Sequence, residues 1–161
     1  VIIPIAVLVI WPSIEKGSVN NSNYVYAEWT VLDYTWDSTH SRQSYIDSDQ
    51  FIPENCAMAG INVDKYGNIY VTVPRWRPGV PATLNKLEAM PGSSGEYTLT
   101  PYPSWDVQVE GQSGDLQSVQ SMTIDSQGRM WVIDTGRRNF LDSDPVNGPA
   151  GVWVIDMETN S

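Results

Sequence analysis

The stretch Gly60–Val73, GINVDKYGNIYVTV, returns as Ser121–Asp134, SMTIDSQGRMWVID, at a constant offset. Asp64 aligns with Asp125, Gly67 with Gly128, and Ile69, Tyr70 and Val71 with Met130, Trp131 and Val132. An internal repeat restricts the fold more than any single motif, because one supersecondary unit must recur and bury its apolar surface against its copy. In each copy two apolar runs flank D-x-x-G. Asp suits the first position of a type I turn, and Gly takes the positive φ that closes a hairpin with a bulge. Each copy is therefore expected to be an antiparallel hairpin with Gly67 or Gly128 in the left-handed region.

A further β-prone run follows each hairpin: ATLNKLEA (82–89) after the first, GVWVIDME (151–158) after the second. Val152, Trp153, Val154 and Ile155 are apolar in succession, so both faces of that strand are expected to be covered. A small antiparallel sheet that repeats and is apolar on both faces is the pattern of a β-propeller, whose blades pack face to face. The offset of 61 residues exceeds the roughly 40–50 of common blade repeats. MPGSSGEYTLTPYPSW (90–105) and RRNFLDSDPVNGPA (137–150) are the expected insertions. A two-sheet sandwich is the alternative architecture. Propellers close with about four to eight blades, and two repeats are found. The expected fold class is all-β, with this chain carrying the early blades of a larger ring.

Composition agrees. The 161 residues suffice for a hydrophobic core, and seven Trp and eight Tyr against two Phe fit strands separated by turn residues. Net charge is −10. No basic stripe supplies phosphate contacts, which argues against nucleic-acid binding. Cys56 is the only cysteine and His40 the only histidine, so Cys56 reads as a buried thiol rather than half of a catalytic dyad. Val1–Trp11 carries no charge but is shorter than the ~20 apolar residues of a membrane span. Residues 1–17 read as a truncated signal peptide, with an ordinary buried strand as the alternative. Residues 18–27 read as a polar N-terminal segment containing a glycosylation sequon at Asn20. An extracellular protein is the expectation.

Other motifs fail on spacing. SWD (104–106) lacks the Gly-His partner of a WD repeat. DSDPVNG (142–148) resembles a calcium loop, but Val146 and Trp153 stand where ligands belong. GQSGD (111–115) has no strand–turn–helix context for a nucleophile. Asp33, Asp37, Asp47 and Asp49 sit among turn-forming residues, as in a solvated loop. No metal and no cofactor is expected.

The segment VPRWRPGVPATLN (73–85) closely resembles a hallmark of the yellow/major royal jelly protein family. EWTVLDYTW (28–36), FIPENCAMAGINVD (51–64), PYPSWD (101–106), IDSQGRMWVIDTG (124–136) and GVWVIDMET (151–159) continue the likeness in the family's order. The resemblance implies a secreted six-bladed propeller, with 28–161 as part of it. Relatives commonly carry cysteines near the positions of Ser113 and Gln127; this chain does not, so no disulfide bracing is carried over. The family spans ligand binders, enzymes and storage proteins, so fold alone does not select a function.

Binding of a small aromatic or amine ligand is the first expectation, favoured by the acidic, Trp/Tyr-rich composition. A dopachrome-converting or lactonase-like enzyme, and a structural or storage protein, are the alternatives. Hairpin geometry gathers Asn55, Arg75, Gln120 and Asp134 at the end opposite the two turns, which makes them the candidate ligand-binding residues. For Arg75, Trp76 and Arg77 the leading reading is architectural: they pin a proline-stiffened connection. The alternative points Arg75 at an anionic ligand. No catalytic residue is assigned.

Overall fold

The computed structural model describes residues 5–7, 25–90, 92, 96–142 and 144–160. Within the apolar N-terminal stretch it describes only strand β1 (Ile5–Val7), paired antiparallel with β2 (Ala27–Trp29). The rest of the expected signal segment and the sequon at Asn20 lie outside the described residues. Among those residues, no helix is long and apolar enough to cross a membrane.

Both repeats form antiparallel hairpins. β3 (Ile61–Val63) pairs with β4 (Ile69–Thr72), and β7 (Val119–Ile124) with β8 (Arg129–Asp134). In each turn the Asp carbonyl accepts from the Gly N–H, and Gly67 and Gly128 have φ of +87° and +78°. Those values suit Gly and strain other L-residues. β5 (Leu84–Ala89) joins the first hairpin, and Gly151–Asp156, the strand after the long second connection, joins the second.

The first expected insertion is only partly a loop. Tyr97–Pro101 forms β6, a fourth strand on β5, and Leu99 is fully buried within it. The β-prone alternation of Tyr-Thr-Leu-Thr thus outweighs the turn residues just before it. The second insertion folds into a two-residue ribbon, β9 (Arg137–Arg138) with β10 (Val146–Asn147), so Gly151–Asp156 is β11. The result is a sheet β3-β4-β5-β6 and a sheet β7-β8-β11, with β3 beside β7.

Two apolar layers hold these sheets. Ile69, Val71, Leu87 and Leu99 pack against Trp29, Leu32, Tyr34 and Phe51 of the segment before β3, which also carries helix α1 (Arg42–Asp47). Tyr70 and Leu84, on the opposite face, meet Met122, Met130, Val132 and Ile155 of the second sheet. Alternation along β4 thus buries both faces of the first sheet. The contact is close: a Cβ on Gly60 would stand 3.0 Å from Thr72 Oγ1 and 3.2 Å from the Gln120 carbonyl oxygen.

One expectation is corrected. Ile155 is buried, but Val152 and Val154 on the other face of β11 are exposed, as are Trp131 and Ile133 on β8. Among the described residues no sheet packs on that face, so only one side of β11 is covered.

Candidate functional site

The ends of the sheets differ in chemistry. At the end opposite the D-x-x-G turns, Arg75 is buried to 1% exposure. Its Nε donates to the Val80 carbonyl (2.9 Å), Nη1 to those of Leu116 and Gln117 (both 2.8 Å), and Nη2 to those of Pro81 (2.8 Å) and Gln108 (2.6 Å). A guanidinium has five N–H groups, and five carbonyls take them. Burial pulls its pKa down, with nearby Glu110 opposing. The carbonyl dipoles replace the lost water, and the cation joins the β4–β5 loop to the connection entering β7.

Asp134 is also buried. Its Oδ2 accepts from the Gln117 N–H (2.6 Å), and its Oδ1 from the N–H groups of Ser118 and Gly136 (2.8 Å each). Ser118 Oγ receives the Arg75 N–H (3.1 Å) and the Gln120 side-chain amide (3.3 Å), while Gln120 Oε1 receives Trp76 Nε1–H (3.0 Å). Asn55 Nδ2 donates to the Pro78 carbonyl (2.9 Å) on the same loop. Of the four sequence candidates, Arg75, Gln120 and Asp134 meet through Ser118 in one hydrogen-bonded network, while Asn55 reaches only the backbone of the same loop. Buried Gln108, Ser118 and Thr83 complete it. Nothing in their sequence context marks those three, because each acts by bonding backbone groups distant in the chain.

Cys56 is buried, with its thiol beside the Ile52 and Gly79 carbonyls, and burial pushes its pKa up to about 12. His40 stacks on Trp105 (ring centroids 4.5 Å apart, planes at 9°), and its Nδ1 lies 2.8 Å from Asp37 Oδ1. Their separate partners agree with reading Cys56 as a small hydrophobe.

The turn end holds a cleft of about 340 Å³ between the sheets, which sequence reasoning did not single out. Tyr66, Tyr70, Tyr102, Ile124 and Met157 give it aromatic and apolar surface, and Asp64, Asp125 and Glu158 face it with Lys65, Lys86 and Asn160. The Tyr70 and Tyr102 rings meet edge-on at 4.9 Å, and the Tyr102 hydroxyl donates to Asn160 Oδ1 (3.0 Å), tying the sheets together. Burial raises both phenol pKa values, so both hydroxyls stay protonated at neutral pH. Burial opposes ionisation of Asp64, but hydrogen bonds from Asn68, Tyr66 and Tyr70 outweigh it and hold its pKa below the usual range. Asp125 is held down chiefly by Trp131 Nε1–H. The lysines are engaged too: Lys86 lies 3.6 Å from Glu88 Oε1, and Lys65 Nζ lies 4.9 Å from the Tyr66 ring centroid. The signal available in the sequence was the turn itself, where Asp recurs as Asp64 and Asp125 and the first copy adds Lys65 and Tyr66.

Comparison with known proteins gives this geometry its family. Residues 117–161 match the family model described as major royal jelly protein. Protein yellow of Drosophila guanche is 33% identical over 135 residues, which cover 83% of this chain and 23% of that protein. Protein yellow of Drosophila melanogaster is likewise 33% identical over 135 residues, covering 83% of this chain and 25% of that protein. The chain thus spans about a quarter of the length of these relatives. With its two consecutive antiparallel sheets packed as blades of a β-propeller, it belongs to the yellow/major royal jelly protein family.

Proposed function

We propose that the chain is part of a secreted β-propeller that binds a small aromatic or amine ligand. The observation that carries this reading is the inter-sheet cleft: its volume suits a small molecule, and tyrosine rings and carboxylates line it. The net charge of −10 adds long-range attraction for cations. Secretion rests on the uncharged start, Val1–Trp11, read as the core of a signal peptide.

Calorimetry of the full-length protein with serotonin, dopamine and an anionic control, each with and without a chelator, tests the reading. Saturable binding of the amines that survives chelation supports it. Affinity abolished by chelator would favour a metal-dependent, lactonase-like enzyme, and dopachrome turnover above the spontaneous rate a converting enzyme. No binding of any compound would favour a structural role.

A further inference from the structure

We infer that Tyr26 and Tyr97 are a site of oxidative cross-linking, where peroxide-driven one-electron oxidation joins their rings as an intramolecular dityrosine. This chemistry is independent of the ligand-binding reading above.

The segment before β3 lies along the outer edge of β6. Leu99 N–H donates to the Asp33 carbonyl (3.0 Å), Thr35 N–H to that of Leu99 (2.7 Å), and Trp29 Nε1–H to that of Tyr97 (2.8 Å). Tyr26, one residue before β2, continues this clasp with its ring 5.2 Å from that of Tyr97, the planes at 36°. Tyr97 packs against the first apolar layer, which fixes its ring, while Tyr26 is 39% exposed. Among the described residues only one other tyrosine pair has its rings in contact, Tyr70 with Tyr102. Those two are 5% and 7% exposed, so an oxidant acting from solvent reaches Tyr26 first. Tyr66 is more exposed still, at 75%, but no tyrosine ring contacts it among the described residues.

Each phenol gives up one electron and one proton, leaving two phenoxyl radicals. The radicals join through ring carbons ortho to the oxygens, and the hydrogen on each of those carbons moves to the phenolic oxygen. The product lacks two hydrogen atoms. One hydrogen peroxide takes up the two electrons and two protons and becomes two waters, and a haem peroxidase is the class of oxidant that works in one-electron steps. Rings already held together couple faster than rings that must meet by diffusion, and a net charge of −10 keeps separate molecules apart.

The bond would close a loop of about 70 residues and tie the N-terminal segment to β6. A single cysteine gives this chain no internal disulfide. A covalent loop of that size stabilises in the same way, by restricting the unfolded chain.

The test treats dilute full-length protein with a haem peroxidase and hydrogen peroxide, then digests it with trypsin for mass spectrometry. The expected product joins residues 17–42 to residues 87–129. Fragment ions should place the bond at Tyr26 and Tyr97, and the yield should not depend on protein concentration. Tyr26→Phe and Tyr97→Phe should each lower that yield about tenfold or more, because the surviving tyrosine has lost its held partner. Tyr66→Phe should leave it unaltered. Both Phe variants keep a ring in place, so they should fold, and unchanged melting temperatures before oxidation check this. Oxidation should raise the melting temperature of the wild type by about 3 °C and that of neither variant. Oxidised Tyr66 beside uncoupled Tyr26 and Tyr97 overturns the site. So does coupling mapped to Tyr70 and Tyr102, or a product that joins two molecules and grows with concentration. A cross-link at Tyr26 and Tyr97 that leaves the melting temperature unmoved overturns its role as a clasp.

Discussion

Arg75 shows how far one side chain can decide a joint. The chain has only nine Lys and Arg residues, and it buries one of them completely without a carboxylate contact, surrounded by backbone oxygens from two connections. Arg75→Met would leave those carbonyls without donors. It should cost about 3–5 kcal/mol of stability, in the range of breaking a buried ionic network. Arg75→Lys should recover only part of this, because three ammonium donors cannot follow the planar fork. Arg77→Ala, two positions on and exposed, should stay within about 0.5 kcal/mol of wild type. Urea midpoints of the three variants check the series. Asp134→Asn replaces an acceptor of three backbone N–H groups with an amide that turns one N–H toward them. A loss of about 1–3 kcal/mol is expected, with equal effects on amine and neutral ligands, because the carboxylate is holding a strand end. Unequal effects would place Asp134 at the ligand.

At the scale of elements, the hairpins were legible because D-x-x-G between apolar runs allows few backbone solutions. Gly128→Ala would put a Cβ on a residue at φ +78° with open space around it. The cost should therefore be backbone strain alone, about 1–2 kcal/mol. β6 was less legible because Gly92 and the prolines around it read as loop, and only pairing with β5 reveals the strand. The network at Arg75 was half legible. Strand ends could be placed from the turns, but not which polar groups the backbone would consume. The cleft was missed because it arises from the approach of two sheets, which no local pattern encodes. Its tyrosines give it a pH signature. Tyr70 and Tyr102 have folded pKa values raised above the ordinary value near 10, so their contribution is fully present below pH ~10 and lost as pH rises beyond it. The urea midpoint should fall above pH ~10, and Tyr70→Phe should flatten that fall. An identical alkaline limb in the variant would assign the loss to other groups.

At the scale of the molecule, the two apolar layers leave a third face uncovered. Val152 is 66% exposed and Ile133 54%, with Trp131 and Val154 beside them on the same side of β8 and β11. Isolated exposed valines need no explanation, but four large apolar side chains on one sheet face form a contiguous patch of the kind that marks an interaction surface. The chain spans about a quarter of its relatives' length, and propeller blades bury such faces against neighbouring blades. The 161-residue chain alone should therefore bind a hydrophobic dye and associate as its concentration rises. Val152→Lys combined with Val154→Glu should suppress both effects while leaving its melting temperature nearly unchanged, because the substituted positions already face solvent. In the full-length protein the same pair of substitutions should lower stability by about 3 kcal/mol or more, because each would bury a charge where an apolar contact had formed. The opposite response of the two lengths is the diagnostic result. If the full-length protein tolerates both charges as well as the shorter chain does, then no neighbouring sheet covers this face, and the second sheet forms an open edge of the assembly.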